Sequence, residues 1–477
     1  MAESSVPQHV ATFTMGVFLS LVFVAIGIVS GFSVSLLAIV GGILAFAFAY
    51  RYIYVALYAA LASALFTGIT VSISTGNLQF GERAFGGSID ITLAEFILFF
   101  VLAAWAAKLF FYWWKRKDTQ WLPRLPLVGS YLALFAAHVL SIFSPLQPDP
   151  ILALKYAVRP VLFQYLAFVA LPINLLRSRR RLLVALVIMA GVGSLAALNG
   201  LFAMFFDPTN ASLIARAHPL SVFGVSPLGE NYNELADLLV FTTFATLAAA
   251  RLVKSELSIR WCKALAVFQF GIGLLTFTRT AWICFALQGA FLYWSMWRAA
   301  VRKHLRVLCA IGLLCLPLVV GMLSYAASDT ASSSNSTRLM LSQIALELFV
   351  SSPVFGAGAG TFVQQVGSTH VFLLEYGDPL DSHGFIQKIA AETGSLGLLA
   401  LLCLYLQLGL ILSRLAKNIA ATRAREAYFL LIAGTGGALV YQLFNTDYWS
   451  AKMWLPVGLT LAAGYVLKEV PRDILEP

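Results

Sequence analysis

Long apolar stretches alternate with short polar connections along almost the whole chain. A helix of about 20 apolar residues crosses the hydrocarbon core of a bilayer, so each stretch of that length predicts a membrane span. Fourteen spans are predicted, at 11–31, 33–50, 52–74, 92–113, 126–144, 151–175, 182–205, 234–252, 261–277, 280–297, 306–326, 395–413, 427–446 and 453–467. The pattern therefore predicts an all-α polytopic membrane protein, with residues 1–477 forming a single membrane domain.

Two connections between predicted spans are too long to be simple turns. They cover residues 207–233 and 328–394. Most connections between helices are short, and long ones tend to carry function. We therefore expect the longer segment, 328–394, to carry the active site.

The segment 328–394 has its own helical pattern. A helix is predicted after the serine-rich stretch 332–337 from the spacing of Leu339, Leu341, Ile344 and Leu348. A glycine-rich turn follows at 356–360. An amphipathic helix is predicted over 383–394, on the outer leaflet or against the bundle, from the shared face of Phe385, Ile386, Ile389 and Ala390.

Composition supports the membrane assignment. Hydrophobic residues make up 60% of the chain and charged residues 11%, and the mean hydropathy is +0.84. So few charges could not cover the surface of a water-soluble fold of 477 residues. The five cysteines lie in or beside apolar segments, which argues against a disulfide framework and against a structural zinc site.

The basic residues predict the orientation in the membrane. Lys and Arg accumulate in cytoplasmic loops, and the strongest basic cluster is Arg177–Arg181. Placing that cluster inside puts 24 of the 32 Lys and Arg residues on the cytoplasmic side and eight outside. Both termini are then predicted to be cytoplasmic, and 207–233 and 328–394 are predicted to lie on the outer side of the membrane.

The eight outer basic residues run against this bias and need separate explanations. Arg216, Arg279 and Arg338 follow one another along the outer segments, and arginines that converge there would bind phosphate oxygens in bidentate fashion. Each one taken alone would be an ordinary loop or interfacial charge. Arg159 lies with Lys155 on one helix face inside the sixth span, where a charge faces either a polar ligand or, by snorkelling, the interface. The remaining three are Arg83, Lys388 and Lys452.

Other catalytic patterns are absent from the sequence. The glycines at 356–360 lack the Lys-Ser or Lys-Thr that completes a P-loop, and no Gly-x-Ser-x-Gly motif is present. The sequence predicts neither a metal site nor a cofactor. Histidine offers a base near neutral pH without tuning, so an outer histidine such as His383 is a candidate general base, with Glu392 and Asp381 as fallback acid/base residues. A capping or interfacial histidine is the plainer alternative for His383.

An ordered set of outer motifs resembles the bacterial O-antigen ligase and polysaccharide polymerase superfamily over roughly residues 210–400. The set comprises Arg216, Asn231-Tyr-Asn-Glu234, Thr278-Arg-Thr-Ala-Trp282, Thr337-Arg338, Ser352-Pro-Val-Phe-Gly-Ala-Gly358, Ser382-His383-Gly-Phe385 and Glu392-Thr-Gly394. The chain departs from the family pattern at Gly384, where an asparagine or similar residue is usual, and in having fourteen rather than about twelve spans.

The resemblance implies a metal-independent glycosyltransferase of the C-type membrane architecture. It implies transfer of a glycan from an undecaprenyl diphosphate carrier at the outer leaflet to a glycan acceptor. Arg216, Arg279 and Arg338 would contact the diphosphate, and His383 would be the general base. The chemistry of the residues agrees, because no nucleotide is present outside the membrane and a lipid diphosphate leaving group supplies the energy.

Three functions remain open at the level of sequence. A polymerase would use a second lipid-linked glycan as acceptor, and a ligase would use a lipid A core; the extra spans favour the polymerase. A lipid-linked oligosaccharide flippase is the alternative from another class. A transporter places polar residues near the midplane between two repeats, whereas this chain places them in outer segments.

Overall fold

The computed structural model describes residues 34–74, 88–114, 123–206, 216–221, 225–229, 231–298, 329–445 and 450–469. Most of these residues are helical. The helices are α1 Val34–Arg51, α2 Ile53–Ser63, α3 Leu93–Trp114, α4 Val128–Leu140, α5 Pro150–Leu175, α6 Arg179–Phe206, α7 Tyr232–Leu252, α8 Glu256–Leu275, α9 Arg279–Leu292, α10 Asp329–Ser351, α11 Phe362–Gly367, α12 His370–Tyr376, α13 Phe385–Asn418, α14 Thr422–Gln442 and α15 Ala451–Leu467. The predicted spans at 11–31 and 306–326, and the outer Arg83, lie outside the described residues.

Several helices are suited to crossing a bilayer. Six helices in the described ranges are long and apolar enough, namely α3, α5, α6, α7, α8 and α13. A seventh span is possible if α1 and α2, bent by 111° relative to each other, form one crossing. Shorter apolar helices cover Val128–Phe143 and Ala451–Leu467. The predicted helical membrane protein is therefore confirmed, while the number fourteen stays a prediction.

A β-hairpin replaces part of one predicted span. The span at 52–74 ends as a helix at Ser63, and the strand β1, Thr70–Ser74, pairs antiparallel with β2, Ser88–Thr92. The stretch Thr70-Val-Ser-Ile-Ser74 alternates β-branched with small polar residues, and this period of two favours a strand. The hairpin corrects the predicted span at 52–74, while the described chain is otherwise mostly helical, as predicted.

The described chain divides into two compact units. The first contains the described parts of Met1–Ser63 and Leu93–Pro123, in which α3 packs against α1 and α2. The second contains Ala64–Thr92 and the described chain from Arg124 onward.

Helix α7 lies at the centre of the second unit and packs against α6, α8 and α14. Almost all of its side chains are buried, and small residues recur along it, which lets the neighbouring helices approach closely. Its Thr246 meets Gln269 of α8, whose amide also donates to the carbonyl of Ala190 at 3.1 Å. Polar side chains inside the bundle thus bond to one another across helices.

The segment 328–394 folds around a small hydrophobic core of its own. Its members from α10 to α13 are Leu341, Ile344, Ala345, Phe362, Val366, Phe372 and Ala391, with Leu348 packed against them. Leu339 was expected on this face but is 62% exposed, because it lies on the other side of α10. The predicted helical pattern is otherwise confirmed.

The helix expected over 383–394 is the first part of α13. A kink at Gly394, where φ is 63°, separates it from the long apolar continuation to Asn418. Phe385 and Ile389 are buried as expected, but Ile386 is exposed. Lys388 and Glu392 lie on the buried face instead, so the sequence pattern assigned that face wrongly in part.

Candidate functional site

The helix ends that the sequence predicts to face outward meet at one end of the second unit. The N–H of Ala217 donates to the carbonyl of Leu275 at the end of α8, 2.9 Å away. The hydroxyl of Tyr441, at the end of α14, donates to the carbonyl of Asn233 at the start of α7, 2.8 Å away. These contacts bring segments that are far apart in sequence to one surface.

The ends predicted to be cytoplasmic also meet. Arg251 pairs with Glu426 at 3.2 Å, and Arg179 donates to the carbonyl of Leu252 at 2.8 Å. Helix ends that the basic clusters assign to the same side of the membrane therefore lie together in the structure.

A cavity of about 70 Å³ opens among the helix ends that are predicted to face outward. Its walls come from the starts of α7 and α9, the middle of α10, the residue before the cap of α13 and the end of α14. The lining residues are Asn231, Asn233, Glu234, Thr280, Arg338, His383, Tyr441, Phe444 and Asn445. Among the described residues, no three His, Cys, Asp or Glu side chains lie close enough together to hold a metal ion.

Two of the arginines that were predicted to bind the diphosphate lie close to each other at this cavity. Arg338 lines it from α10, and Arg279 begins α9 and donates to the amide oxygen of Asn335, one turn earlier on α10, at 3.0 Å. Burial, and then the charge of Arg279, lower the pKa of the Arg338 guanidinium below its ordinary value. The positive charges of Arg279 and Arg338 repel each other. An anion bound between them would remove this repulsion and would pair with both guanidinium groups.

Arg216 contacts the connection between α8 and α9, just before Arg279. Its Nε and Nη2 donate to the carbonyl of Thr276 at 3.1 and 2.9 Å, and Nη2 lies 3.4 Å from the carbonyl of Phe277. Its guanidinium stacks on the ring of Tyr232, 3.5 Å from the ring centroid. Arg216 therefore supports the tight connection that presents Arg279, because a cation at a helix C-terminus satisfies the last carbonyl groups.

His383 reaches the cavity from a tight turn. It precedes Gly384, the cap residue of α13, and so lies just outside the helix rather than within its first turn. Its φ is 49°, in the left-handed region that costs a residue with a side chain about 1–2 kcal/mol. Such a conformation in a non-glycine residue is often found where the side chain has a defined task.

A carboxylate forms part of the cavity wall. Glu234 lies in the first turn of α7, whose cap residue Asn231 accepts the backbone N–H groups of residues 233 and 234 through its side chain. The buried ammonium of Lys452 lies 3.8 Å from the carboxylate of Glu234. Gly229 adjoins it too, because a Cβ at that position would overlap the Glu234 carboxylate.

Several residues in or beside this wall were not assigned a role from the sequence. Lys452 stood out only as an outer basic residue, and Glu234 only as part of a motif. The sequence did not indicate that Tyr441, Phe444 and Asn445 line a cavity, because the end of an apolar helix has no pattern that marks one.

Other predicted site residues lie apart from the cavity lining. Asp381 and Glu392 both contact the buried ammonium of Lys388, at 2.7 and 3.7 Å. Glu392 is fully buried and accepts the backbone N–H of Phe362 at 3.1 Å. The two fallback acid/base residues are thus part of a buried ionic cluster.

Arg159 is not brought to the cavity lining either. It lies in α5, in the wide helical turn Val158–Phe163 that contains Pro160. One turn earlier, Tyr156 packs against Gly360 and lies 5.9 Å from the Lys388 ammonium. Arg159 follows Tyr156 by three residues on α5, the helix that contacts this ionic cluster through Tyr156.

The glycine-rich turn at 356–360 joins the outer segment to α4 and α5. The hydroxyl of Ser144 donates to the carbonyl of Gly356 at 2.6 Å, and that of Ser141 accepts the N–H of Ala359 at 2.9 Å. The N–H of Gly358 donates to the carbonyl of Glu392 at 3.0 Å. The turn at 356–360 therefore packs against α13 just before its kink at Gly394.

Comparison with known proteins gives one family. Residues 264–402 match the family described as O-antigen ligase. The match runs from α8 through α9 and α10 into α13, and it contains Arg279, Arg338 and His383. It confirms the resemblance to the superfamily that the outer motifs indicated and, with the apolar helices, indicates a membrane enzyme that processes glycans. No curated protein matches the chain.

Proposed function

We propose that this chain is a glycosyltransferase of the bacterial inner membrane that works on the periplasmic face. Its donor is a glycan carried on undecaprenyl diphosphate, and its acceptor is a hydroxyl of a second lipid-linked glycan. The product is a longer lipid-linked polysaccharide, as in O-antigen polymerisation. We further propose fourteen spans of the C-type architecture, with both termini cytoplasmic and no need for a metal ion.

The observation that carries the proposal is the meeting of Arg338 and His383 in one cavity, with Arg279 beside it. In the reaction, the bond from the sugar's anomeric carbon to the diphosphate oxygen breaks as the acceptor oxygen bonds to that carbon. His383 takes the proton of the acceptor hydroxyl. The electron pair of the broken bond stays on the diphosphate, which leaves as undecaprenyl diphosphate.

Arginines suit the leaving group. Negative charge grows on the diphosphate as the bond breaks, and donors already fixed in place stabilise this charge without reorganising. Arg279 and Arg338 would bind the phosphate oxygens directly. Arg216 would act at the same group while it holds the turn before Arg279. We assign Arg159 a secondary contribution to donor binding.

The remaining wall suits a sugar. Asn231, Asn233 and Asn445 carry amides that both donate and accept, and hydroxyl groups of a sugar do the same. Phe444 and Tyr441 add aromatic surface. We propose that this side of the cavity receives the sugar ring whose hydroxyl is activated by His383.

A ligase is the second candidate, because the matched family is described as O-antigen ligase. The chemistry at the diphosphate would be the same, and only the acceptor would change to a lipid A core. Asp381 and Glu392 remain alternative bases in either case.

The glycan profile of a strain lacking the gene separates these functions. Single repeat units on an otherwise normal lipid A core would indicate a polymerase. Loss of all long chains from the core, with lipid-linked polymer accumulating, would indicate a ligase. Accumulation of unpolymerised lipid-linked units on the cytoplasmic leaflet would indicate a flippase and would contradict the proposal.

A further inference from the structure

One buried residue, Lys388, is bonded to both sides of the turn that carries His383. Its ammonium donates to Oδ1 and Oδ2 of Asp381 at 2.8 and 2.7 Å. Its backbone N–H donates to the carbonyl of Gly384 at 3.0 Å. Asp381 precedes His383 by two residues and Gly384 follows it directly, so the three bonds bracket the histidine.

The bracketed turn is also closed from within. The hydroxyl of Ser382 donates to the carbonyl of Gly384 at 2.9 Å, and the N–H of Ser382 donates to Oδ1 of Asp381 at 2.8 Å. His383 itself has a left-handed backbone. A residue with a side chain keeps such a conformation only where its surroundings determine it. The hydrogen bonds of Asp381 and Gly384 hold the backbone of His383 in this conformation.

Lys388 is buried within the segment 328–394. The Lys388 side chain is only 3% exposed, and its ammonium also lies 3.7 Å from Glu392. Glu392 in turn accepts the N–H of Phe362, the first residue of α11. A continuous series of contacts therefore runs from α11 through Glu392, Lys388 and Asp381 to the turn at His383.

We propose that Lys388 is a positioning residue for glycan transfer, which acts through Asp381 to hold the His383 imidazole at the cavity. This inference rests on the proposed function, in which His383 accepts the acceptor proton. Lys388 would make no contact with the donor diphosphate, because its ammonium is occupied by two carboxylates. Its loss should therefore slow the chemical step and leave donor binding nearly unchanged.

The test compares Lys388→Met, Asp381→Ala and the double variant in steady-state transfer by the full chain. We expect kcat to fall about tenfold to a hundredfold in each single variant, since a small misplacement of a catalytic group has effects of this size. The KM for lipid-linked donor should stay within about threefold. The double variant should be no slower than the slower single variant, because the two residues act as one unit.

Two further measurements keep the test decisive. Asp381→Ala leaves the Lys388–Glu392 contact in place, so it remains informative if Lys388→Met does not accumulate. Amide exchange at residues 382–386 should rise in both variants and stay unchanged over 341–348 of α10. Ile386→Ala, an exposed position on the same helix, is the matched control and should keep parental kcat and exchange.

Three results would overturn the inference: parental kcat in both single variants, losses that multiply in the double variant, or a raised donor KM with unchanged kcat. A different result, parental turnover in His383→Gln, would overturn the assignment of His383 as the general base in the proposed function. An inactive His383→Gln variant together with parental kcat in Asp381→Ala would reject the positioning role alone.

Discussion

At the scale of single residues, the candidate site was identified by the scarcity of basic residues in the segments predicted to be outer. Positive charge is disfavoured on the outer side of an inner membrane, so each arginine found there was a candidate for binding. Arg279 and Arg338 do lie close together, and Arg338 shares a cavity with His383. Sequence could not distinguish these residues from Lys388 and Lys452, because burial beside a carboxylate depends on tertiary packing.

The role of Arg279 can be tested by two substitutions. Arg279→Ala should reduce transfer about a hundredfold to a thousandfold, the usual effect of removing one donor from a developing negative charge. Arg279→Lys should restore little activity, because a lysine ammonium lacks the planar fork that binds two phosphate oxygens. The measurement is transfer rate per molecule of inserted protein.

Arg251→Ala is the matched control for Arg279. Arg251 forms a partly exposed ion pair with Glu426 at the opposite helix ends, and exposed pairs contribute little stability. We expect its transfer rate to stay within about twofold of the parent. If Arg279→Lys behaves like the parent, Arg279 is only an interfacial charge.

At the scale of elements, hydropathy predicted the positions of the long helices correctly but did not predict the β-hairpin. Helices α3, α5, α6 and α7 lie where spans were predicted, because a run of apolar residues is a direct consequence of crossing lipid. The strand Thr70–Ser74 was missed because its β-branched residues count as apolar in the same window. The buried face of α13 was missed in part because Lys388 and Glu392 satisfy each other there.

The turn at 356–360 gives an element-scale prediction. A Cβ at Gly360 would overlap the ring of Tyr156, whereas a Cβ at Gly377 would meet open space. Both glycines have positive φ, so both alanine variants carry the same kind of backbone strain, about 1–2 kcal/mol. Gly360→Ala should lose a further ~1–3 kcal/mol from overpacking.

Thermal unfolding of the purified protein measures this difference. The midpoint of Gly360→Ala should fall clearly below that of Gly377→Ala, and transfer activity should fall with it. Equal midpoints for the two variants would mean that the turn does not pack against α5 as described.

At the scale of the whole molecule, the account depends on which helix ends face outward. The structure groups Arg216, Arg279, Arg338 and His383 at one end and the Arg251–Glu426 pair at the other. This grouping agrees with the alternation of spans that the sequence predicts, and the charge bias predicts which end faces outward.

Cysteine labelling tests the orientation. In a background without native cysteines, Cys at Gly377 or Ser333 should react with a membrane-impermeant thiol reagent applied to spheroplasts, and Cys at Ser178 should not. Labelling of Ser178→Cys after the membrane is opened shows that the position is reactive. The reverse pattern would place the cavity in the cytoplasm and contradict the proposed donor.

The most direct test of the central claim is the rate of glycan transfer by the purified chain in liposomes that contain a lipid-linked glycan. The parent should release undecaprenyl diphosphate and form a longer glycan. His383→Gln, which keeps hydrogen bonding but not basicity, should be slower by about a hundredfold to ten-thousandfold. His370→Gln, at an exposed position in α12, should match the parent. Absence of transfer by the parent, or near-parental turnover of His383→Gln between about pH 6 and 8, where histidine changes its charge, would contradict the account.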